Sequence, residues 1–485
     1  MLGGTNSLPV PLAVNAGRLV LDSSAVVTAG VTVASGATLE LQGSAQVNGI
    51  SGAGSLHLGL GDNDPWGALQ ADGTFAAPEW PRRVNIAGDA DSGIAPFKKY
   101  THFFDLGWAD STIRIVNGVP VFCSDGLDAN TSYLDRHHGG SFKGAPASWL
   151  KDQSNANHKN IKMDSSNAMR AFFTCFQYAG NVTLTLSNLT VGKLYEFRLY
   201  IRNWASQNRT IDLTYNDGTG NKTFAFNEDT APDGYIALRY TPAYSPSAGT
   251  TFTLRGDKRD QGFHIYAFSN EEVAEHVRVV NVDADMTYSG AISGNGELRK
   301  TGAGAWTLTG AGTASGAWTV AEGALVLDNA TGTTGSVAVA PGASFGGVGS
   351  AGGDVGVASG ATLLLGSDNS AGTLAAGSNV VIAAGAAVTV RYASDGSCGA
   401  LASAGSVTVP ASLTVTASPL VAGTKRTRRV PLFTAGTTLT GPADLSGWTA
   451  VDAEGTPLRG AKFTYGDDGK SIWLNATAGT VLYFR

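Results

Sequence analysis

Apolar and polar residues alternate with a period of two in short bursts along much of this chain, and each burst closes on a glycine. In Val31–Leu41, Val33, Leu39 and Leu41 share a face with Val31 while Glu40 takes the other. The phrase VASGATLEL at 33–41 returns nearly intact as VASGATLLL at 357–365, with looser copies at 339–347 and 382–390 and shorter ones from Asn15 and Ala321. Each copy reads as a strand, a tight turn closed by Gly, and a second strand. Gly17 and Gly36 are 19 residues apart, Gly323, Gly342 and Gly360 are spaced by 19 and 18, and Gly385 follows after 25. A unit that short cannot bury its own apolar face, whereas stacked copies can, so the pattern predicts a β-solenoid.

The pattern breaks after Leu60. From about Pro78 to Val273 longer strand-like runs replace it: Ser111–Cys123, Met169–Gln177, Asn181–Leu189, Leu194–Trp204, Arg209–Asn216, Lys222–Asn227, Gly234–Thr241, Thr250–Gly256 and Gly262–Phe268. Asn-Asp-Gly and Asp-Gly turns separate several of them, which predicts an antiparallel β-sandwich, most simply a jelly roll. The polar stretch 126–164 reads as a long loop region. Around Val277 the solenoid pattern resumes, and ISGNGELRK at 292–300 matches ISGAGSLHL at 50–58 position by position. The expected architecture is all-β: a right-handed parallel solenoid (1–60 and 277–421), an inserted sandwich (61–276) and an atypical C-terminal β cap (422–485) that hides the last open edge.

Composition sharpens this picture. Gly accounts for 64 of 485 residues, about twice its usual share of ~7%. Only six charged residues fall between Thr301 and Thr424: Glu322, Asp328, Asp354, Asp368, Arg391 and Asp395. A surface so poor in charge suits long extracellular β structure. The net charge of −6 gives no footing for nucleic acid. No apolar run is long enough to span a membrane as a helix, so an integral membrane protein is not expected. The start lacks the basic and apolar regions of a signal peptide, and the chain reads as part of a longer secreted protein. Three cysteines make neither a disulfide framework nor a metal cluster. Cys123 and Cys175 pair only if their strands are neighbours; otherwise they are buried thiols.

The stretch 292–329 resembles the autotransporter-associated β-strand repeat. Gly294, Gly296, Leu298, Lys300, Gly302, Gly304, Trp306, Thr307, Leu308 and Gly310 carry the resemblance. It implies a passenger-like right-handed β-helix at the bacterial surface or outside the cell. The translocating barrel that accompanies such passengers is not expected within this sequence. The insert resembles, through 181–204 and 262–272, jelly-roll modules found beside such repeats, which implies a carbohydrate-binding module.

Solenoid strands of Val, Thr, Ala and Leu offer no paired carboxylates for glycoside hydrolysis, so catalysis is not expected there. The insert is richer. Sugar binding needs a flat aromatic face and planar polar groups. Trp108, Tyr133, Trp149 and Trp204 are candidate platforms, with Asp105, Arg202, Asn203 and His264 as polar partners. His137 and His138 stand side by side, point apart in any strand, and lack metal-motif spacing, so no metal site is expected. Asp257–Gly262 and Gly88–Gly93 could supply oxygen ligands to Ca²⁺, though turn chemistry explains both as well. Lys425–Arg429 reads as a solvated strand edge. The function expected is adhesion through a host or cell-surface glycan, without catalysis or cofactor. The alternatives are a purely structural stalk and a fragment of a carbohydrate-active enzyme working through Asp105, Asp135 and His137.

Overall fold

The computed structural model describes residues 7–21, 25–59, 68–77, 79–88, 91–95, 98–108, 114–124, 133–134, 140–143, 175–177, 181–186, 189–201, 210–216, 220–227, 233–242, 250–256, 263–273, 277–328, 332–333, 335–395, 397–420 and 429–476. The chain divides into two compact units, residues 1–78 with 276–485, and residues 79–275.

The first unit is a stack of parallel rungs with three sheet faces. Two faces are unbroken sheets of eleven strands. One runs from Ser7–Leu8 through Gln46–Asn48 and Arg278–Asn281 to Leu439–Thr440, and the other from Leu12–Val14 through Ile50–Gly52 and Met286–Tyr288 to Trp448–Val451. The third face comprises a four-stranded sheet ending at Ile292–Gly294 and a six-stranded one that begins at Ser350–Ala351. Repeated registers stack like positions, so the inward positions form columns that are mostly apolar. Val47, Val280, Lys300, Val320, Val339, Val357 and Ile382 lie one above another. Outward positions carry small polar groups, as in the Thr32–Ser51 hydroxyl contact of 3.1 Å. At the C-terminal end Arg429–Ala435 still pairs in parallel with Ala400–Ser403, but Ser471–Ala476 and Ala461–Tyr465 add on antiparallel. Arg429, from the basic run, stacks on Trp473 at 4.3 Å.

The ladder ignores the long interruption in sequence. Gln46–Asn48 pairs directly with Val279–Asn281, and Leu56–Leu58 with Ile292–Gly294. The repeated phrase marks a corner and not a face. In the first block it carries the chain from the second face to the third (Val31–Val33 to Thr38–Leu41); after the break it carries it from the first to the second (Val355–Val357 to Thr362–Leu365). One corner geometry serves at any edge of the stack, and the turn glycines Gly36 and Gly360 have φ of 80° and 77° at the two. Residues 68–77 also belong to this unit. They form a small turn closed by the Leu69–Phe75 bridge and lie on the outward side of Val355–Val357. A Cβ on Gly356 would sit 2.2 Å from the Gly73 carbonyl, and one on Gly73 would sit 2.3 Å from that of Val357.

The second unit is a sandwich of a seven-stranded and a six-stranded sheet, with a separate two-stranded sheet. Tyr195, Phe197, Leu199, Ile236 and Leu238 of the larger sheet meet Leu184, Ile211, Leu213 and Phe252 of the smaller across one apolar core. Phe197 and Phe252 stack at 4.1 Å between ring centres. Two of its strands are absent from the sequence reading: Arg82–Asn85, at one edge of the larger sheet, and Lys99–Trp108, within it. Polar composition hides the first; the second, though it carries Tyr100, Phe103, Phe104, Leu106 and Trp108, lacks a clean alternation. The stretch read as a loop from 126 to 164 also contains two short strands, Tyr133–Leu134 and Gly140–Lys143, paired antiparallel. Among the described residues no helix is long and apolar enough to cross a membrane.

Candidate functional site

Of the residues singled out for sugar binding, the four that the structure describes fall on three sheets. Asp105 and Trp108 lie on Lys99–Trp108, in register with Cys123 and Ser124. Tyr133 pairs with Phe142 in the six-stranded sheet. His264 pairs with Phe176 in the two-stranded one. Only the backbones of these four residues are described. Trp149, Arg202, Asn203, Trp204, Asp135, His137 and the segment Asp257–Gly262 lie outside the described residues. Cys123 and Cys175 sit on strands of different sheets that are not hydrogen-bonded to each other, and only their backbones are described. In the 88–93 turn the Asp91 carboxylate accepts from the Ala87 N–H at 3.2 Å. Among the described residues no three His, Cys, Asp or Glu side chains gather as a metal site.

The structure assembles a different cluster. On Tyr195–Ile201 the apolar residues face the sandwich core, so Glu196, Arg198 and Tyr200 take the opposite face of the sheet. Alternation alone assigns that face to solvent. Residues 86–88 and 91–95 cover it instead, with Ile86 and Ile94 packed among Tyr200, Tyr235 and Tyr266. The cover is tied down by the Tyr200 hydroxyl donating to Ser92 O at 3.0 Å and by Asn117 Nδ2 donating to Ile94 O at 2.9 Å. Beneath it Arg198 binds Glu271 Oε1 at 2.6 Å and also pairs with Glu196, Lys98 reaches the same Glu271 oxygen at 3.1 Å, and Arg239 Nε binds Glu196 Oε2 at 3.0 Å. Burial works against ionising Glu196, but Arg198, Lys98 and Arg239 outweigh it and hold its carboxyl below the usual range. Burial likewise opposes the Arg198 charge, and Glu196 and Glu271 raise it beyond its ordinary value. Burial pushes the Tyr200 and Tyr235 hydroxyls up, so both stay neutral donors.

This network reaches solvent at one rim. The Arg239 side chain is 24% exposed, against 1% for Arg198 and Glu196. At that rim stands half-buried Trp80. Arg82 pairs with Ala237 across the strands, so Trp80, two residues earlier, meets Arg239, two residues later. The Arg82 guanidinium lies 4.3 Å from the indole centre and that of Arg239 4.4 Å. Sequence reasoning passed over Trp80, Arg82 and Arg239; the available signal was the alternation of Glu196 and Arg198 inside an otherwise aromatic strand.

The solenoid holds its own buried cations. Lys300 occupies an inward position, and its ammonium donates to the carbonyls of Gly302, Gly304 and Glu322 at 2.6, 2.5 and 2.8 Å. Burial lowers it from 10.5 to about 8. Arg278, the first residue of the first strand after the break, is fully buried. On the third face Glu40, His57 and Ser293 occupy one register across the break, and His57 Nδ1 lies 3.0 Å from Ser293 Oγ. Glu40 is held by Arg18 and Gln42, so the three do not form a relay.

Residues 298–327, the rungs that carry Lys300 and the fully buried Trp306 and Trp318, match the Passenger-associated-transport-repeat. The chain carries an autotransporter passenger repeat. A passenger is secreted or displayed at the cell surface, and so is this chain. A stretch of 86 residues, 18% of the chain, is 44% identical to the Adhesin BmaC autotransporter of Brucella suis biovar 1 (strain 1330), and spans 2% of that protein's length. Among solved structures, the catalytic domain of a GH87 alpha-1,3-glucanase in complex with tetrasaccharides aligns over 57% of this chain and 68% of its own, at 11% identity and a TM-score of 0.15.

Proposed function

We propose that the chain is a passenger segment of a bacterial surface adhesin, in which the solenoid is scaffold and the inserted sandwich, a jelly-roll module, binds a host or cell-surface carbohydrate without catalysing a reaction. The passenger repeat at 298–327, set within an uninterrupted ladder of rungs, carries this reading. The adhesin that shares a 44% identical stretch supports it. The division of labour rests on chemistry: outward solenoid positions offer mostly small groups such as Thr32, Ser51 and Thr307, whereas the sandwich concentrates arginine, carboxylate and aromatic side chains. The test is adhesion of the purified chain to glycan-bearing cells and to a glycan array, beside a variant in which a flexible linker replaces 79–275. The full chain is expected to bind and the variant to fail. Equal binding by both would move the function to the solenoid, and binding by neither would leave a structural stalk.

A further inference from the structure

We propose that the outer face of the C-terminal hairpin, around Arg429, Trp473 and Lys462, is a docking surface for an acidic polysaccharide, one whose sugars carry carboxylates. This surface belongs to the solenoid unit and is independent of the sandwich reading above. Arg429 closes the basic run that begins at Lys425. Protecting a bare strand edge is not its task, because Arg429–Ala435 pairs with Ala400–Ser403 on one side and with Ser471–Ala476 on the other. Val430, Ile472 and Leu474 point into the solenoid core, so alternation turns Arg429, Trp473 and Asn475 outward. Asn475 is paired with Arg429 on one side and with Lys462 on the other, which sets both cations in one row. Two strand spacings, ~10 Å, separate them. Trp473 stands in the next row, paired with Thr464.

Charge at this face is of one sign. Arg429 and Lys462 are exposed, and among the described residues neither joins an ion pair. The strands Arg429–Ala435, Ala461–Tyr465 and Ser471–Ala476 carry no carboxylate. Residues 420–435 and 470–485 together hold six Lys or Arg and no Asp or Glu, in a chain whose net charge is −6. The acidic turn of the hairpin lies at its far end, ~13 Å along the strand from Asn475, and its Asp468 carboxylate is taken up by the Lys470 N–H and the Ser471 hydroxyl, each at 2.9 Å. The row is also ordered in advance. Trp473 Nε1 donates to Ser471 Oγ at 3.0 Å, which fixes the ring, and the Arg429 guanidinium rests 4.3 Å from the indole centre. A guanidinium so restrained has less freedom to lose on binding, and its fork matches a carboxylate. Lys462 adds a second point charge that a polymer reaches and a single acidic sugar does not. The one charge per ~1.7 Å of a duplex nucleic acid would be repelled by the acidic remainder of the chain, whereas carboxylates spaced along a polysaccharide meet the two cations with less of that cost.

The experiment measures binding of the full chain to polygalacturonate, to neutral dextran and to single-stranded DNA, as the wild type and as Arg429→Gln, Lys462→Gln and the double variant, with thermal melts confirming that each is folded. The wild type is expected to bind polygalacturonate and not dextran, and to weaken as salt rises through ~0.1 to 0.5 M. Each single variant is expected to lose about threefold in affinity, the size of one exposed ion pair, and the double variant about tenfold. A folded double variant that binds polygalacturonate as the wild type does overturns the surface, and so does a wild type that does not bind it. Equal binding of dextran overturns the role of charge. DNA bound more tightly than polygalacturonate, and lost in the double variant, overturns the choice of a polysaccharide. None of these failures touches the sandwich reading, since neither residue lies within 79–275.

Discussion

At the scale of single residues, the two units solve the same problem of buried charge in different ways. Lys300 forms no ion pair among the described residues, though Glu322, Asp283 and Asp285 favour its charge; its ammonium is met by three backbone carbonyls from its own turn and the next rung. Lys300→Met is expected to leave those carbonyls unmet and to cost about 2–4 kcal/mol in denaturant unfolding. The pH dependence is a separate reading of the same residue. With the native value near 8 and the free value at 10.5, the unfolded chain binds more protons between them, so the wild type gains stability relative to Lys300→Met as pH rises through that window. A flat difference would mean that the three carbonyls, which a neutral amine cannot fully bond, keep the group charged. His57 behaves in the same sense at lower pH. Burial, Arg18 and Arg278 hold its imidazole below 6.5, so its contribution is complete above that pH and is lost as pH falls below it. Hydrogen exchange should show the Ser55–Leu58 and Ile292–Gly294 pairing loosening in mild acid in the wild type and much less in His57→Gln.

At the scale of elements, the sequence shows its corners more clearly than its faces. Turn glycines and the apolar alternation in Thr38–Leu41 and Thr362–Leu365 were legible because a positive φ and a buried column leave few alternatives. Which sheet each strand joins was not legible, since the same phrase builds two different corners. The sandwich cluster was illegible for another reason: Glu196 and Arg198 look like a solvent face until Ile86, Ile94 and their described neighbours are placed over them, and no local pattern announces that cover. The turn at 68–77 shows the same limit. Its seat on Val355–Val357 depends on two glycines far apart in sequence: Gly356 lies too close to the Gly73 carbonyl, and Gly73 too close to the Val357 carbonyl, for any side chain. Gly356→Val is expected to lift the turn, at about 1–3 kcal/mol, with the rung itself still paired. Limited proteolysis should then cut within 68–77 much faster than in the wild type; unchanged protection would show that the seat is held by something other than this contact.

For the whole chain, the decisive property is that solenoid strands pair directly across the break. Among the described residues its core runs from Val14 to Leu474 as one cluster without a member between 79 and 275. The sandwich has its own cores. Each side of the break supplies strands that the other completes, as Val47 with Val280 and Leu56 with Ile292. Loss of the sandwich therefore removes no rung. The entropic cost of the long loop that joins the two blocks grows only slowly with its length, so shortening it has little leverage on the ladder. Replacing 79–275 by a flexible linker, with the 68–77 turn retained, is expected to leave amide protection at Gln46–Asn48 and Val279–Asn281 within about tenfold of the full chain. Collapse of that protection would mean that the sandwich supports the ladder and is not simply carried by it. Retained protection together with lost adhesion would separate scaffold from binding module in one protein, because the variant would then fail for want of a site and not for want of a fold.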